Sequence, residues 1–348
     1  MPDLPFPERV TILGCGQMGL VCAGMLTARG RASPAPSVTI WGHAEDEVAE
    51  LSQLRRSTRL PDFELDPAVR VALDDASALR DAQLIVSAVP VQHTRSAWAR
   101  LRPHIPAGAG VVSVAKGIET KTLLRPTQII AEALGDDPDG RPRPLGCLSG
   151  PTIATELARC LPATMIAASD DPAFADLIQR LFTTSWMRIY TKPDLLGVEL
   201  AGATKNVIAI AAGVLDGLQA GSNAKSALLA RGLAEITRLG VAMGASPDTF
   251  FGIAGVGDLA TTCFSPHGRN RSCGEALGRG ARLDEYIESS PYVVEGVATT
   301  RAVVALAEKY RVEMPITEAV HQVLFEGLDP LEAIGRLMSR GMKDEAVG

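Results

Sequence analysis

A lysine stands in a run that otherwise reads as core. In "ELAGATKNVIAIAAGVLDGL" the only ionisable side chain between Glu199 and Asp216 is Lys205, with Asn206 beside it. A helix that is apolar on every side is a buried helix. A buried ammonium must find a partner or give up its proton. Lys205 is therefore either half of a structural ion pair or a proton carrier. Other polar groups also interrupt apolar or glycine-rich surroundings. "VAKG" puts Lys116 at the end of a strand run, and "GVGDLATTC" sets Asp258 between two glycines and Thr261–Thr262. "HGRNRSCGEAL" puts Arg269, Asn270 and Arg271 after Gly268 and just before a helix. A guanidinium, an amide and helix N–H groups together suit a phosphate. Taken singly, each has a plainer reading: an interface ion pair, a solvated strand-end lysine, a turn aspartate, a surface arginine. Taken together, they suit a small phosphorylated substrate that bears a carbonyl.

A second kind of chemistry is written near the N-terminus. "VTILGCGQMG" spaces Gly14, Gly16 and Gly19 as G-x-G-x-x-G, with Cys15, Gln17 and Met18 between them. The triplet ends a strand run and opens a helix, the context in which it binds a dinucleotide. The first glycine makes the turn, the second admits the pyrophosphate, and the third lets helix and strand pack closely. The acid expected at the end of the second strand, where it would hold the adenosine ribose, is missing. "IWGHAED" has Gly42 and His43 there and Glu45 two places on. That leaves both cofactors open, leaning slightly to NADPH: NADP with His43 or a nearby arginine near the extra phosphate, or NAD with Glu45 reaching back to the ribose. "LSGPTIATE", Leu148 to Glu156, is a strand-to-helix turn of small residues that suits close approach by cofactor or substrate.

These residues need a scaffold, and the hydropathy pattern supplies one. Val10–Leu13, Val38–Trp41, Leu84–Val89 and Val111–Ala115 are near-continuous apolar runs, as in strands buried on both faces. Helix patterns at Gln17–Ala28 and Ala44–Leu54 alternate with them, and Ala163–Ala168 and Met187–Tyr190 could add edge strands. This predicts an α/β fold with an N-terminal Rossmann-type doubly wound domain. Beyond Asp194 only helix patterns remain: Leu195–Leu218, Ala224–Met243, Pro247–Gly252, Ser272–Leu277, Thr299–Tyr310, Pro315–Leu324 and Pro330–Met338. The expected division is residues 1–193 as the dinucleotide-binding domain and 194–348 as an all-α C-terminal domain. "RASPAPS" (Arg31–Ser37) reads as an insertion and "GDDPDGRPRP" (Gly135–Pro144) as a surface loop.

Composition narrows the function classes. A net charge of −6 and 4% aromatic residues argue against nucleic acid, and no run is long enough to span a membrane by itself. Six cysteines without a C-x-x-C pair argue for reduced thiols in a cytoplasm. Five histidines fall in no ligand spacing, so no metal site is expected.

The motifs "WGH", "AKG", "SGPTIATEL…LPAT", "TKNVIAIAAG", "NAKSALLARGLAEITRLG", "GVGDLATTC…GRNR", "VVEGVATT" and "EMPIT" run in order from Val10 to about Val323. In these the chain resembles the bacterial-type NAD(P)-dependent glycerol-3-phosphate dehydrogenases. The resemblance implies reduction of dihydroxyacetone phosphate to sn-glycerol 3-phosphate, reversibly, for phospholipid synthesis, by a cytoplasmic homodimer. It implies Lys205 as general acid/base, and Lys116, Gly150, Thr152, Asn206, Asp258, Thr262, Gly268, Arg269 and Asn270 around the substrate. It assigns the cofactor to Gly14–Gly19, His43, Lys116, Ala154, Arg269, Val293 and Glu295. Gln17, Met18, Val91, Thr155 and Gly268 depart from the usual family residues. Two rival readings are another two-domain dehydrogenase of β-hydroxyacid type and a dinucleotide-binding regulator without catalysis.

Overall fold

The apolar runs become strands of one sheet in the computed structural model, which describes residues 4–28, 34–135, 143–290 and 293–341. Residues 31–33 of the insertion at Arg31–Ser37 and residues 136–142 of the loop at Gly135–Pro144 fall outside the described residues. The strands are β1 (Arg9–Leu13), β2 (Ser37–Trp41), β3 (Arg70–Ala72), β4 (Leu84–Ser87), β5 (Gly110–Ser113), β6 (Leu145–Ser149), β7 (Ala163–Ala168) and β8 (Met187–Lys192). Their order across the sheet is β3-β2-β1-β4-β5-β6-β7-β8. Each neighbouring pair is parallel except β6 and β7. The chain order reverses at β1, whose partners are β2 on one side and β4 on the other. That switch point is where open α/β sheets bind ligands.

The helices of this part are α1 (Gln17–Thr27), α2 (Glu45–Leu54), α3 (Asp75–Leu79), α4 (Val91–Leu101), α5 (Pro126–Leu134), α6 (Ala154–Ala158) and α7 (Pro172–Phe182). Successive strand residues enter different cores, as the two-residue period of a strand requires. Ile12, Val86 and Val112 join Leu20, Met25, Phe174 and Phe182, whereas Leu13, Ile85 and Val111 join Trp98, Leu101 and Ile130. Both faces are covered, which explains why the strands read as unbroken apolar runs.

The chain divides into two compact units, Met1–Ala115 with Pro126–Leu195, and Lys116–Arg125 with Leu196–Gly348. Lys116–Arg125 thus belongs to the second unit, although it precedes a single boundary at 193/194. The second unit holds α8 (Leu195–Gly217), α9 (Gly221–Ala242), α10 (Pro247–Phe251), a π-helical turn at Ile253–Gly257, α11 (Asp258–Phe264), α12 (Arg269–Gly278), α13 (Leu283–Ser289), α14 (Glu295–Tyr310), α15 (Pro315–Phe325) and α16 (Pro330–Met338). No strand is found among its described residues. Helix α8 has the length and hydropathy of a membrane span, yet 94% of its most apolar stretch is buried inside the protein.

Helices α8 and α12 touch backbone to backbone. A Cβ on Gly213 would lie 1.9 Å from the Arg271 carbonyl oxygen, and one on Gly274 would lie 1.9 Å from that of Ile210. Gly217 and Gly278 continue the seam, because a Cβ on either would sit 2.4–2.5 Å from a backbone oxygen of the other helix. Only glycine fits such an approach. We expect Gly274→Ala to force the helices apart and lower stability by about 3 kcal/mol or more, measured as a fall in the midpoint of urea unfolding. An unchanged midpoint would show that the seam tolerates separation.

Candidate active site

In the first unit the glycine loop sits at the switch point. Gly14 has φ +110°, and a Cβ there would stand 2.8 Å from the Ala88 carbonyl oxygen at the end of β4. A Cβ on Gly19 would meet the Gly14 carbonyl oxygen at 1.9 Å, so α1 starts directly against the turn. Around a Cβ on Gly16, by contrast, nothing lies within 4 Å. Gly16 is also the N-cap of α1 and supplies no side-chain cap, so the first N–H groups of the helix are open to an anion. This open cradle fits a dinucleotide pyrophosphate.

The other first-unit residues surround that frame. Gln17 donates from Nε2 to the Arg59 carbonyl oxygen at 2.8 Å, so its side chain is committed to the loop after α2. Cys15 is buried, and burial followed by the Glu47 charge pushes its thiol above the usual range. Met18 and Ala154 pack on the same core, where α1 meets α6. His43 is exposed just before α2, whose first turn carries Glu45, Asp46 and Glu47. Glu47 is ion-paired with Arg59. Thr152 Oγ1 donates to the Gly150 carbonyl oxygen at 3.2 Å, closing the turn after β6. The hydroxyl oxygen of Ser149, which the sequence reading did not single out, is buried with no hydrogen-bond partner among the described residues.

In the second unit the structure joins residues that are far apart in sequence. Lys205 Nζ donates to Asp258 Oδ1 at 2.6 Å and to Thr262 Oγ1 at 2.6 Å. Lys116 Nζ donates to the other carboxylate oxygen, Asp258 Oδ2, at 2.7 Å. One buried carboxylate therefore bridges two ammonium groups. Asp258 opens α11 directly after the π-helical turn, a distortion that often marks functional sites. An ammonium has three donors, and two of those on Lys205 are occupied by Asp258 and Thr262. The third is available to an oxygen atom of a ligand.

Burial pulls the Lys205 ammonium down to about 8, with Asp258 opposing the shift and the charge of Lys116 adding to it. At neutral pH the side chain is mostly protonated but gives up its proton readily. The segment carrying Lys116 is pinned at its far end by Arg125, which is ion-paired with buried Glu199 on α8. The sequence offered no signal for that pair, because its partners lie 74 residues apart.

The R-N-R triplet lies inside the first turn of α12, three residues earlier than the helix expected from Ser272. Gly268 is its N-cap in an extended conformation, so the helix begins at Arg269. Arg269 is exposed, whereas Asn270 is buried. The Asn270 Oδ1 accepts the Gly296 N–H at 2.9 Å, which turns its amide N–H₂ away to donate elsewhere. Asn206 shares this corner, since a Cβ on Gly296 would stand 2.8 Å from its carbonyl oxygen. Helix α14 starts at Glu295 rather than at Thr299, so Glu295 is held on its first turn and exposed Val293 just precedes it. Burial raises the Glu295 carboxyl, against the pull of Arg269, Lys116 and Lys205.

A dinucleotide cradle in one unit and a lysine–aspartate–lysine chain in the other make a pairing that can be compared with known proteins. Residues 9–175 match the family model described as the NAD-dependent glycerol-3-phosphate dehydrogenase N-terminus, and residues 194–335 match that of its C-terminus. The chain belongs to the NAD-dependent glycerol-3-phosphate dehydrogenase family. A glycerol-3-phosphate dehydrogenase [NAD(P)+] of Salinibacter ruber is 44% identical over 337 residues, covering 97% of this chain and 96% of the relative. That of Bacillus subtilis is 42% identical over 339 residues, again covering 97% and 96%. A solved glycerol-3-phosphate dehydrogenase from Coxiella burnetii superposes with a TM-score of 0.90 at 34% identity, covering 97% of this chain and all of the other. This glycerol-3-phosphate dehydrogenase is thus an NAD(P)-dependent oxidoreductase with a Rossmann-type domain and a helical C-terminal region. The expected family and fold agree with these findings.

Proposed function

We propose that the enzyme reduces dihydroxyacetone phosphate to sn-glycerol 3-phosphate, reversibly, with Lys205 as general acid/base. The observation that carries this reading is the buried bridge Lys116–Asp258–Lys205. Gly14–Gly19, His43 and Ala154 would hold the dinucleotide, together with Lys116, Arg269, Val293 and Glu295. Bound there, the reduced nicotinamide supplies a hydride to the carbonyl carbon. Lys205 supplies the proton: its third N–H would donate to the ketone oxygen as negative charge grows there. Lys116 adds a second positive charge close by, where low dielectric makes it effective. In the oxidation direction a neutral Lys205 takes the hydroxyl proton, which its lowered pKa allows near neutral pH. Asp258 and Thr262 fix Nζ so that little reorganisation is left to the reaction.

Arg269 and the free amide of Asn270 hold the phosphate, and Gly150, Thr152, Asn206 and Gly268 complete the substrate's surroundings. Binding energy at the phosphate, remote from the reacting carbon, then positions that carbon. We expect Arg269→Ala to raise KM for dihydroxyacetone phosphate about a hundredfold, in line with loss of a charge-assisted contact of ~1.5–3 kcal/mol. Steady-state kinetics measure this, and an unchanged KM would remove Arg269 from the phosphate site. The product serves glycerophospholipid synthesis in the cytoplasm. Five of the six cysteines are buried and all are free, in keeping with a reducing compartment. The family resemblance favours a homodimer, which sedimentation velocity would distinguish from a monomer.

A further inference from the structure

The two arginines of the R-N-R turn do different work. Arg269 is exposed at the start of α12, while Arg271 is committed in every direction. Its Nη1 donates to Asp216, its Nη2 donates to Glu275 Oε2 at 2.9 Å, and its Nε donates to the Ser265 carbonyl oxygen at 2.9 Å. Asp216 also accepts from Lys225 Nζ, at 2.8 Å on Oδ1 and 2.7 Å on Oδ2. The side chains are largely withdrawn from water, with exposures of 25% for Asp216, 12% for Arg271 and 11% for Lys225.

Each charge has the sign its own helix end disfavours. Asp216 lies in the last turn of α8, where carbonyl groups point outward, while Arg271 and Lys225 lie near the starts of α12 and α9. An acid at a helix C-terminus and bases at helix N-termini oppose the macrodipole. Local helix electrostatics therefore does not account for the three residues, whereas the pairing between helices does. The pairing falls at the end of the glycine seam that joins α8 to α12.

We propose that Asp216 is a positioning residue for the phosphate end of the substrate. It holds the first turn of α12, through Arg271, in fixed register on α8, and that turn carries Arg269 and Asn270. Lys205 lies eleven residues earlier on the same helix, about 16 Å along its axis. One rigid helix thus carries the proton donor and the anchor for the phosphate-binding turn, and Asp216 sets the spacing between them. This inference rests on the reading that Arg269 and Asn270 hold the phosphate.

The test uses the full-length enzyme with Asp216→Asn, Asp216→Glu and Arg271→Lys, measured beside Arg269→Ala. In Asp216→Asn we expect KM for dihydroxyacetone phosphate to rise about tenfold or more, as for a small displacement of a positioning group. KM for the reduced cofactor and kcat should stay within about threefold, since neither the glycine loop nor Lys205 is touched. Asp216→Glu keeps the charge and should restore most of the KM. Arg271→Lys keeps the charge but loses the fork, and it should repeat the Asp216→Asn shift even if that variant fails to fold. Two results would overturn the role of Asp216: an unchanged KM in folded variants, or equal losses in kcat and both KM values that track thermal stability. If Arg269→Ala raises KM and the Asp216 and Arg271 variants do not, only the positioning role falls. If Arg269→Ala leaves KM unchanged, the phosphate reading falls and takes this inference with it.

Discussion

Lys205→Met should lower kcat by about three orders of magnitude while the enzyme still binds its cofactor, because loss of a general acid/base costs typically 10²–10⁴-fold. Methionine keeps the length and apolar stem of the lysine, so the core around α8 should stay packed. Asp258 keeps its other partner, Lys116, at 2.7 Å, and no buried carboxylate is stranded. The loss should therefore appear in the rate and not in the unfolding midpoint. Fluorescence titration of the reduced cofactor would show whether the dinucleotide cradle remains intact. Turnover close to the unmodified enzyme would take Lys205 out of the proton transfer, whatever its burial.

Asp258→Asn should behave differently, with a large effect on stability as well as rate. It removes the carboxylate that bridges two ammonium groups, Lys116 at 2.7 Å and Lys205 at 2.6 Å. Lys205 is 6% exposed, so its charge has little water to turn to. Breaking a buried pair by removing one partner costs about 3–5 kcal/mol. The repulsion between the two lysines is then no longer offset by Asp258, and the Lys205 ammonium loses the interaction that chiefly opposes its burial. Its pKa should fall further below 8, leaving less ammonium to protonate the ketone at neutral pH. Chemical denaturation and the pH dependence of reduction measure both consequences. A variant of unchanged stability would mean that Asp258 is not carrying the charge of the two lysines.

Much of this arrangement was legible from residue types because desolvation leaves few choices. Lys205 stood out since nothing else ionisable interrupts α8, and a partner had to exist somewhere. The glycine loop was legible because strand, turn and helix are contiguous, so its geometry is local. Strands β1, β2, β4 and β5 could be read because burial on both faces demands continuous apolar sequence. Short β3, with its single fully buried residue, and β6, with glycine, cysteine and serine, carry no such run. The antiparallel pairing of β6 with β7 depends on chain reversal around α6 and has no local signature. The apolar run ahead of Lys116 places it at a strand end, but β5 stops at Ser113 and Lys116 pairs with Asp258, 142 residues later. In the R-N-R turn, sequence treats the arginines alike, and only the fold separates Arg269 from the Arg271–Asp216–Lys225 network. Helix α11 and the π-helical turn before it were hidden because glycines dominate "IAGVGD".

Proton transfer by Lys205 is tested most directly by the pH profile of glycerol 3-phosphate oxidation. The lysine's pKa is lowered to about 8, so the neutral amine needed to accept the hydroxyl proton is scarce below that pH and abundant above it. In the unmodified enzyme, kcat/KM for oxidation should rise tenfold per pH unit up to about 8 and then level off, as for a single free-enzyme base. Reduction, which needs the ammonium, should be nearly flat below about 8 and fall above it. The residual oxidation rate of Lys205→Met, followed from pH 7 to 10, should show no break near 8. A break retained at the same pH in the variant would assign the titrating base to another group and contradict the role of Lys205.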